Sequence, residues 1–398
     1  MTGPNSARIA ARGDVRAFLA MDVLARAGRM RAEGADVLMM CVGQPSAPAP
    51  REAREAAARL VSDGRVSYTD AAGRPDLRKR IARYYVDAYG VDLAPERVFV
   101  TTGSSAGFNL AFLALFEPRA RVAVASPGYP AYRNILSALS LEVVEIAVDA
   151  GSRWTLDRDR LLAEHGRKPL DGVLLASPGN PSGTMTAPHT LSELLSACRD
   201  EDIRVVSDEI YHRLTYPDAS GIAERTALSF DDEAIVVNSF SKYFCMTGWR
   251  IGWMVLPEPL VRPIERLAQN LYICAPEVSQ VAALHALDAT DELEAVRTGY
   301  ARNRAHLLER LPAMGFGEVL PIDGAFYAYA DAERLIERMG ASDSLDFCNR
   351  LLDATGVAVT PGLDFDLERG RRFVRISFAG AEADVKAASE RMLSWTAA

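Results

Sequence analysis

Lysine is scarce in this chain: only Lys79, Lys168, Lys242 and Lys386 occur, and arginine serves almost everywhere else a cation is wanted. At a solvated surface that exchange is neutral. At a reactive position it is not, because arginine keeps its proton at working pH whereas lysine can lose one and form an imine. Other shortages narrow the field. The five cysteines (Cys41, Cys198, Cys245, Cys274, Cys348) are scattered and form no CxxC pair, which points to reduced thiols in a cytoplasmic protein. The five histidines (His165, His189, His212, His285, His306) show no metal-ligand spacing, so no metal site is expected. No apolar run approaches the ~20 residues needed to cross a bilayer, so no membrane partner is expected. The longest run, Phe108 to Phe116, is broken by Asn109. Positive charge is not in excess either: the formal net charge is −8, which argues against nucleic acid as the main partner.

What is present is ordinary globular composition over 398 residues, enough for two domains or one large domain with a smaller appendage. Short β-branched runs alternate with helical stretches. Val98-Phe99-Val100 leads into Thr101-Thr102-Gly103-Ser104-Ser105 and then an apolar helix over 106–116. Arg121-Val122-Ala123-Val124-Ala125 leads into Ser126-Pro127-Gly128-Tyr129. Gly172-Val173-Leu174-Leu175-Ala176 leads into Ser177-Pro178-Gly179-Asn180-Pro181, and a helix follows over 190–200. Ile203-Arg204-Val205-Val206 leads into Ser207-Asp208-Glu209, and Ala234-Ile235-Val236-Val237 into Ser239-Phe240-Ser241-Lys242. A further strand is expected over 250–255. This alternation predicts an α/β fold, a mainly parallel sheet flanked by helices, whose ligands lie outside the carboxyl ends of the strands. Five such ends carry Gly, Ser, Asn, Asp or Lys clusters, which suggests one shared site. Beyond residue 288 the texture turns to α+β, with a long amphipathic helix over 297–311, Ala325-Phe326-Tyr327-Ala328-Tyr329 and Phe373-Val374-Arg375-Ile376-Ser377. The expected organisation is a large domain over 46–288 and a smaller domain over 289–398, against which residues 1–45 pack.

Each cluster has a bland reading and a chemical one. Gly103, Ser104 and Ser105 open a helix whose N–H groups can hold a phosphate, and Arg250 and Ser239 can add a cation and a hydroxyl. Asp208, at the end of an apolar strand, is a helix cap or the partner of a protonated ring nitrogen. Tyr211 and Asn180 can hydrogen-bond a phenolic oxygen, and Asn180 is equally an Asx-turn residue. Tyr129 can stack on a ring or simply pack. Together they describe a pocket for a phosphorylated heterocyclic aldehyde captured by Lys242, and pyridoxal 5′-phosphate fits that description.

With those residues in view, the sequence resembles the class I/II pyridoxal-phosphate-dependent aminotransferases of fold type I, in the aspartate and aromatic branch, from about Val42 to Phe378. Ser239-Phe240-Ser241-Lys242 followed by Met246-Thr247-Gly248-Trp249-Arg250-Ile251-Gly252 is the most specific match. Ser177-Pro178-Gly179-Asn180-Pro181 and Ser207-Asp208-Glu209-Ile210-Tyr211 stand in family order and spacing. The resemblance implies that Lys242 joins the cofactor covalently and acts as general base, that Asp208 pairs with the ring N–H, and that Asn180 and Tyr211 bond the phenolic oxygen. It places Tyr129 against the ring and Ser104, Ser105, Ser239 and Arg250 on the phosphate. Arg375 and the Gly43 backbone would hold the substrate carboxylate, and Asn180 would also bind the substrate. Tyr68 would reach the partner's phosphate in a homodimer. The implied reaction moves an amino group from an L-amino acid to a 2-oxo acid, typically 2-oxoglutarate, by ping-pong kinetics. A C–S β-lyase or eliminating synthase on the same fold is the alternative. Gly43-Gln44-Pro45-Ser46-Ala47 departs from the family's usual Gly-Glu-Pro-Asp-Phe. No second arginine for a distal carboxylate is evident, and Tyr272 is read as an interface residue or a contact for an apolar or aromatic side chain.

Overall fold

The computed structural model describes residues 9–216 and 220–397. After a short β1 (Leu38–Met39), a central sheet is built from β2 (Val98–Thr101), β3 (Arg121–Ser126), β4 (Glu142–Ala147), β5 (Gly172–Ala176), β6 (Arg204–Asp208), β7 (Ile235–Ser239) and β8 (Gly252–Val255). Its order is β2-β8-β7-β6-β5-β3-β4. The strands from β4 through β7 pair in parallel. β8 runs antiparallel to both β7 and β2. The segment between β7 and β8 holds only the 3-10 turn Thr247–Trp249, and without a crossover helix the chain returns antiparallel. Two reversals cancel, so β2 points the same way as β7. The carboxyl ends of β2, β3, β5, β6 and β7 therefore share one edge.

The strand expected from Arg250 starts at Gly252 because Arg250 sits at φ 52°, in the left-handed region that closes the 3-10 turn. The apolar strands β2, β7 and β8 are buried along their whole length, as strands covered on both faces must be. Edge strand β4 alternates instead. The helix Ser104–Leu115 covers one face and packs Phe108, Ala111 and Phe112 against Val237 and Met254.

A second, antiparallel sheet joins β9 (Tyr327–Asp331), β11 (Thr360–Pro361) and β12 (Phe373–Ser377), while β1 pairs with β10 (Val357–Ala358). The helix expected over 297–311 spans Thr290–Met314. The N-terminal helix Leu19–Ala32 is tied to this second layer. Its first N–H groups, those of Leu19 and Ala20, donate to the Asp364 carboxylate at 3.0 and 2.9 Å, and Arg26 reaches Asn349 and Asp353. A carboxylate on orphan N–H groups satisfies them and meets the positive end of the helix dipole.

Trp253 anchors the core under β7 and β8. It is fully buried, donates Nε1–H to the Tyr85 hydroxyl at 3.1 Å and meets Phe240 edge-on at 4.9 Å. Trp253→Ala removes this ring and strands the Tyr85 hydroxyl. The expected loss is about 3–5 kcal/mol, measured as a lower urea midpoint at unchanged slope.

Candidate active site

At the shared strand edge lies a cavity of about 280 Å³. Ser104 and Ser105 after β2, Tyr129 after β3, Asn180 after β5, Asp208 and Tyr211 at the end of β6, and Lys242 and Arg250 after β7 all line it. Gly43 and Arg375 reach it from the second layer. Three expected residues stand elsewhere. Gly103 lies beneath the rim, where a Cβ would come within 2.5 Å of Arg250 Nη2, and its φ of 77° suits glycine. Ser239 is buried one layer back, with its hydroxyl 2.9 Å from that of Ser241 and 3.1 Å from the Ile251 carbonyl. Tyr68 is 79 % exposed and outside the cavity. Tyr272, which accepts from Asn109 Nδ2 at 3.1 Å, is outside it too.

The wall above the helix N-terminus has the makings of an anion cradle. Backbone N–H groups at the start of Ser104–Leu115 have no intrahelical acceptor, two serine hydroxyls flank them, and the Arg250 guanidinium packs onto Gly103. Ser241 and Thr247 also line the cavity, which the sequence reading did not single out.

Deeper in, two charges of opposite sign are held in little water. Asp208 is buried; its Oδ1 accepts the Ile210 N–H at 3.0 Å and its Oδ2 accepts the Tyr132 hydroxyl. Burial raises its pKa to about 6, against the lowering effect of these two hydrogen bonds. Lys242 donates Nζ–H to the Gly43 carbonyl at 2.7 Å. Burial, then the cations Arg375 and Arg250, lower its pKa to about 8, with Asp208 opposing them. A sizeable neutral fraction of this amine therefore exists at working pH.

Arg375 projects from β12 into the same space. Nη1 donates to Asn180 Oδ1 at 2.9 Å and Nη2 to the Cys41 carbonyl at 2.8 Å, while the rings of Tyr327 and Phe365 lie 4.3 and 4.7 Å from the guanidinium carbon. Its Nε is buried without a hydrogen-bond partner. Because Asn180 Oδ1 is occupied by Arg375, the Asn180 amide hydrogens are left for a second acceptor. Tyr129 meets Phe18 and Tyr132 edge-on, at 5.7 and 5.3 Å, and the Tyr211 hydroxyl lies 2.7 Å from that of Tyr327. Phe18, Tyr132 and Tyr327 escaped the sequence reading, since an aromatic in an apolar run looks like core.

The chain is similar to known proteins over nearly its whole length. The family described as aminotransferase class I and II matches residues 35–392. The chain belongs to that family. It is 47 % identical, over 98 % of both chains, to a valine–pyruvate aminotransferase of Mycobacterium tuberculosis, and 33 % identical to an aspartate aminotransferase of Thermotoga maritima over 90 % of this chain and 91 % of that one. Among solved structures, an aminotransferase from M. tuberculosis superposes with a TM-score of 0.93 at 45 % identity over 98 % of this chain and all of the other. The aspartate aminotransferase of Thermus thermophilus with maleate gives 0.88 at 30 %, with the same coverage.

The aminotransferase is pyridoxal-phosphate-dependent and has the type I fold. Its cavity suits that cofactor on its own terms: a helix N-terminus with a guanidinium for a phosphate, a buried carboxylate for a ring N–H, and a partly neutral lysine amine for an aldehyde. Among the described residues, no helix is long and apolar enough to cross a membrane.

The lowered Lys242 pKa has a kinetic consequence. Only the neutral amine condenses with an aldehyde, so covalent uptake of pyridoxal phosphate by the cofactor-free protein should rise about tenfold per pH unit and level off above about 8. Stopped-flow absorbance checks this. A rate still climbing toward pH 10, as for a lysine at its ordinary 10.5, rejects the assignment.

Proposed function

We propose that this aminotransferase takes a small aliphatic L-amino acid, valine foremost, as donor and pyruvate as acceptor. The lining of the cavity carries the reading. The N-terminal part of the chain contributes Phe18, Ala20, Met21 and Val42, with Gln44 as its polar side chain, and the cations among the described lining residues are Lys242, Arg250 and Arg375. Each of those three already has a task, which leaves none for the distal carboxylate of aspartate or of 2-oxoglutarate, the acceptor the resemblance implied. The valine–pyruvate relative at 47 % identity supports the same choice.

In this reading Arg375 receives the substrate carboxylate. Its unpartnered Nε and an Nη form the fork, and the Gly43 backbone borders the same place. Ser104, Ser105 and Arg250 hold the phosphate, with Gly103 making room and Ser239 fixing Ser241 from behind. Asn180 and Tyr211 donate to the phenolic oxygen, and Tyr129 walls the ring. Bound there, pyridoxal phosphate supplies the electron sink for a carbanion at the substrate α-carbon. Asp208 holds the proton of the ring nitrogen. Lys242 Nζ would take the α-proton and hold it for return. Exposed Tyr68 suits a homodimer in which it completes the neighbouring site, and a cytoplasmic enzyme divided at residues 45/46 and 288/289 is part of the same proposal.

Absorbance of the holoenzyme tests the donor class. Valine or alanine without oxo acid should bleach the cofactor band, and pyruvate should restore it. Faster cycling with aspartate and 2-oxoglutarate rejects the proposed specificity, while steady ammonia release with the band intact favours the lyase reading. Arg375→Ala removes charge-assisted hydrogen bonds and should raise the donor KM by about a hundredfold, with a smaller change in kcat.

A further inference from the structure

Tyr327 occupies a position that the roles above leave unexplained. It opens β9, is 2 % exposed and lines the cavity. Its hydroxyl fills the space vacated by a missing side chain: a Cβ on Gly43 would fall 1.6 Å from Tyr327 Oη. One face of its ring carries the Arg375 guanidinium at 4.3 Å, and its hydroxyl lies 2.7 Å from that of Tyr211. One side chain thus touches the carboxylate-binding arginine, the backbone beside it and the tyrosine assigned to the cofactor.

Two hydroxyls at this distance share one hydrogen bond, and each has a single hydrogen to give. If Tyr211 donated to Tyr327, it would have nothing left for a phenolic oxygen. Burial pushes both phenols up, so both keep their protons at working pH. A two-donor chain ending on an anionic oxygen satisfies both hydroxyls, and each bond polarises the next.

We propose that Tyr327 is a positioning residue: its hydroxyl donates to Tyr211, which leaves the Tyr211 hydrogen directed at the phenolic oxygen of the bound cofactor, while its ring face holds Arg375. The inference rests on the role proposed above for Tyr211. The charged and titratable groups facing the pair are Arg375 from β12, Asp208 at the end of β6, Lys242 and Arg250 between β7 and β8, and Tyr129 and Tyr132 after β3. Arg375, Lys242 and Arg250 favour a negative phenolic oxygen, and Asp208 opposes it. Tyr327→Phe changes none of these charges.

The test is a pH titration of the visible band of the resting holoenzyme, in wild type, Tyr327→Phe, Tyr211→Phe and the double variant. A better-donating Tyr211 stabilises the deprotonated Lys242–cofactor linkage, so losing that help raises the titration midpoint. Tyr327→Phe should raise it by about half a unit or more, Tyr211→Phe by more, and the double variant no further than Tyr211→Phe alone. A shift in Tyr211→Phe with none in Tyr327→Phe overturns the inference and leaves the Tyr211 role standing. No shift in Tyr211→Phe overturns that role and the inference with it. Equal effects of Tyr327→Phe with and without the Tyr211 hydroxyl overturn the relay.

Discussion

Arg375 is a permanent cation taken almost wholly out of water, and among the described residues no carboxylate pairs with it. Desolvating a guanidinium costs several kcal/mol unless other groups stand in for water. Here they are neutral: one amide oxygen, one backbone carbonyl, the Thr360 hydroxyl and two aromatic faces. Supplying them recruits Asn180 from the end of β5, Cys41 from beyond β1, Tyr327 from β9 and Phe365 from the turn before β12. The two layers of the molecule meet through these contacts. After burial itself, the same charge helps to lower the Lys242 pKa, so one buried cation both shapes the cavity and tunes the amine within it.

Asn180 shows how closely the polar accounts balance. An amide side chain has an acceptor oxygen and a donor nitrogen, and the arginine takes the oxygen. The nitrogen keeps its hydrogens for another acceptor. Asp208 is similar: one oxygen is committed to a backbone N–H and the other to Tyr132, so its carboxylate plane is fixed before a ligand arrives. Fixed dipoles of this kind need not reorganise when charge develops.

Much of this was legible in the sequence because the polar residues follow apolar strands directly. Lys242, Asp208, Asn180 and the serines after β2 each announce themselves as chemistry where a turn would suffice. The parallel majority of the sheet was legible in its continuous apolar runs, but the reversal at β8 lay in the short helix-free link from β7 and not in the strand itself. Tyr327, Tyr132 and Phe18 were invisible for a different reason. The rings of Tyr327 and Tyr132 satisfy the same burial pattern as core residues, and only the position of one oxygen separates the two uses, while half-buried Phe18 carries no polar atom to mark it at all. Ser239 illustrates a finer limit. The motif names it, yet in three dimensions it stands behind Ser241, and a two-residue offset decides which hydroxyl meets the cavity.

The place of β8 between β7 and β2 has a consequence for the order of events on the ribosome. Among the described residues β2 has no other neighbour in the sheet, and Thr101 pairs with Gly252, some 150 residues later. At roughly 5–20 residues per second, β2 leaves the ribosome about 8–30 seconds before this partner exists. Throughout that interval the anion cradle after β2 has no fixed position relative to Asp208, whose strand already has its neighbour in β5. The halves of the cofactor pocket are therefore separated in time as well as in sequence, and β8 is the strand whose arrival brings them together.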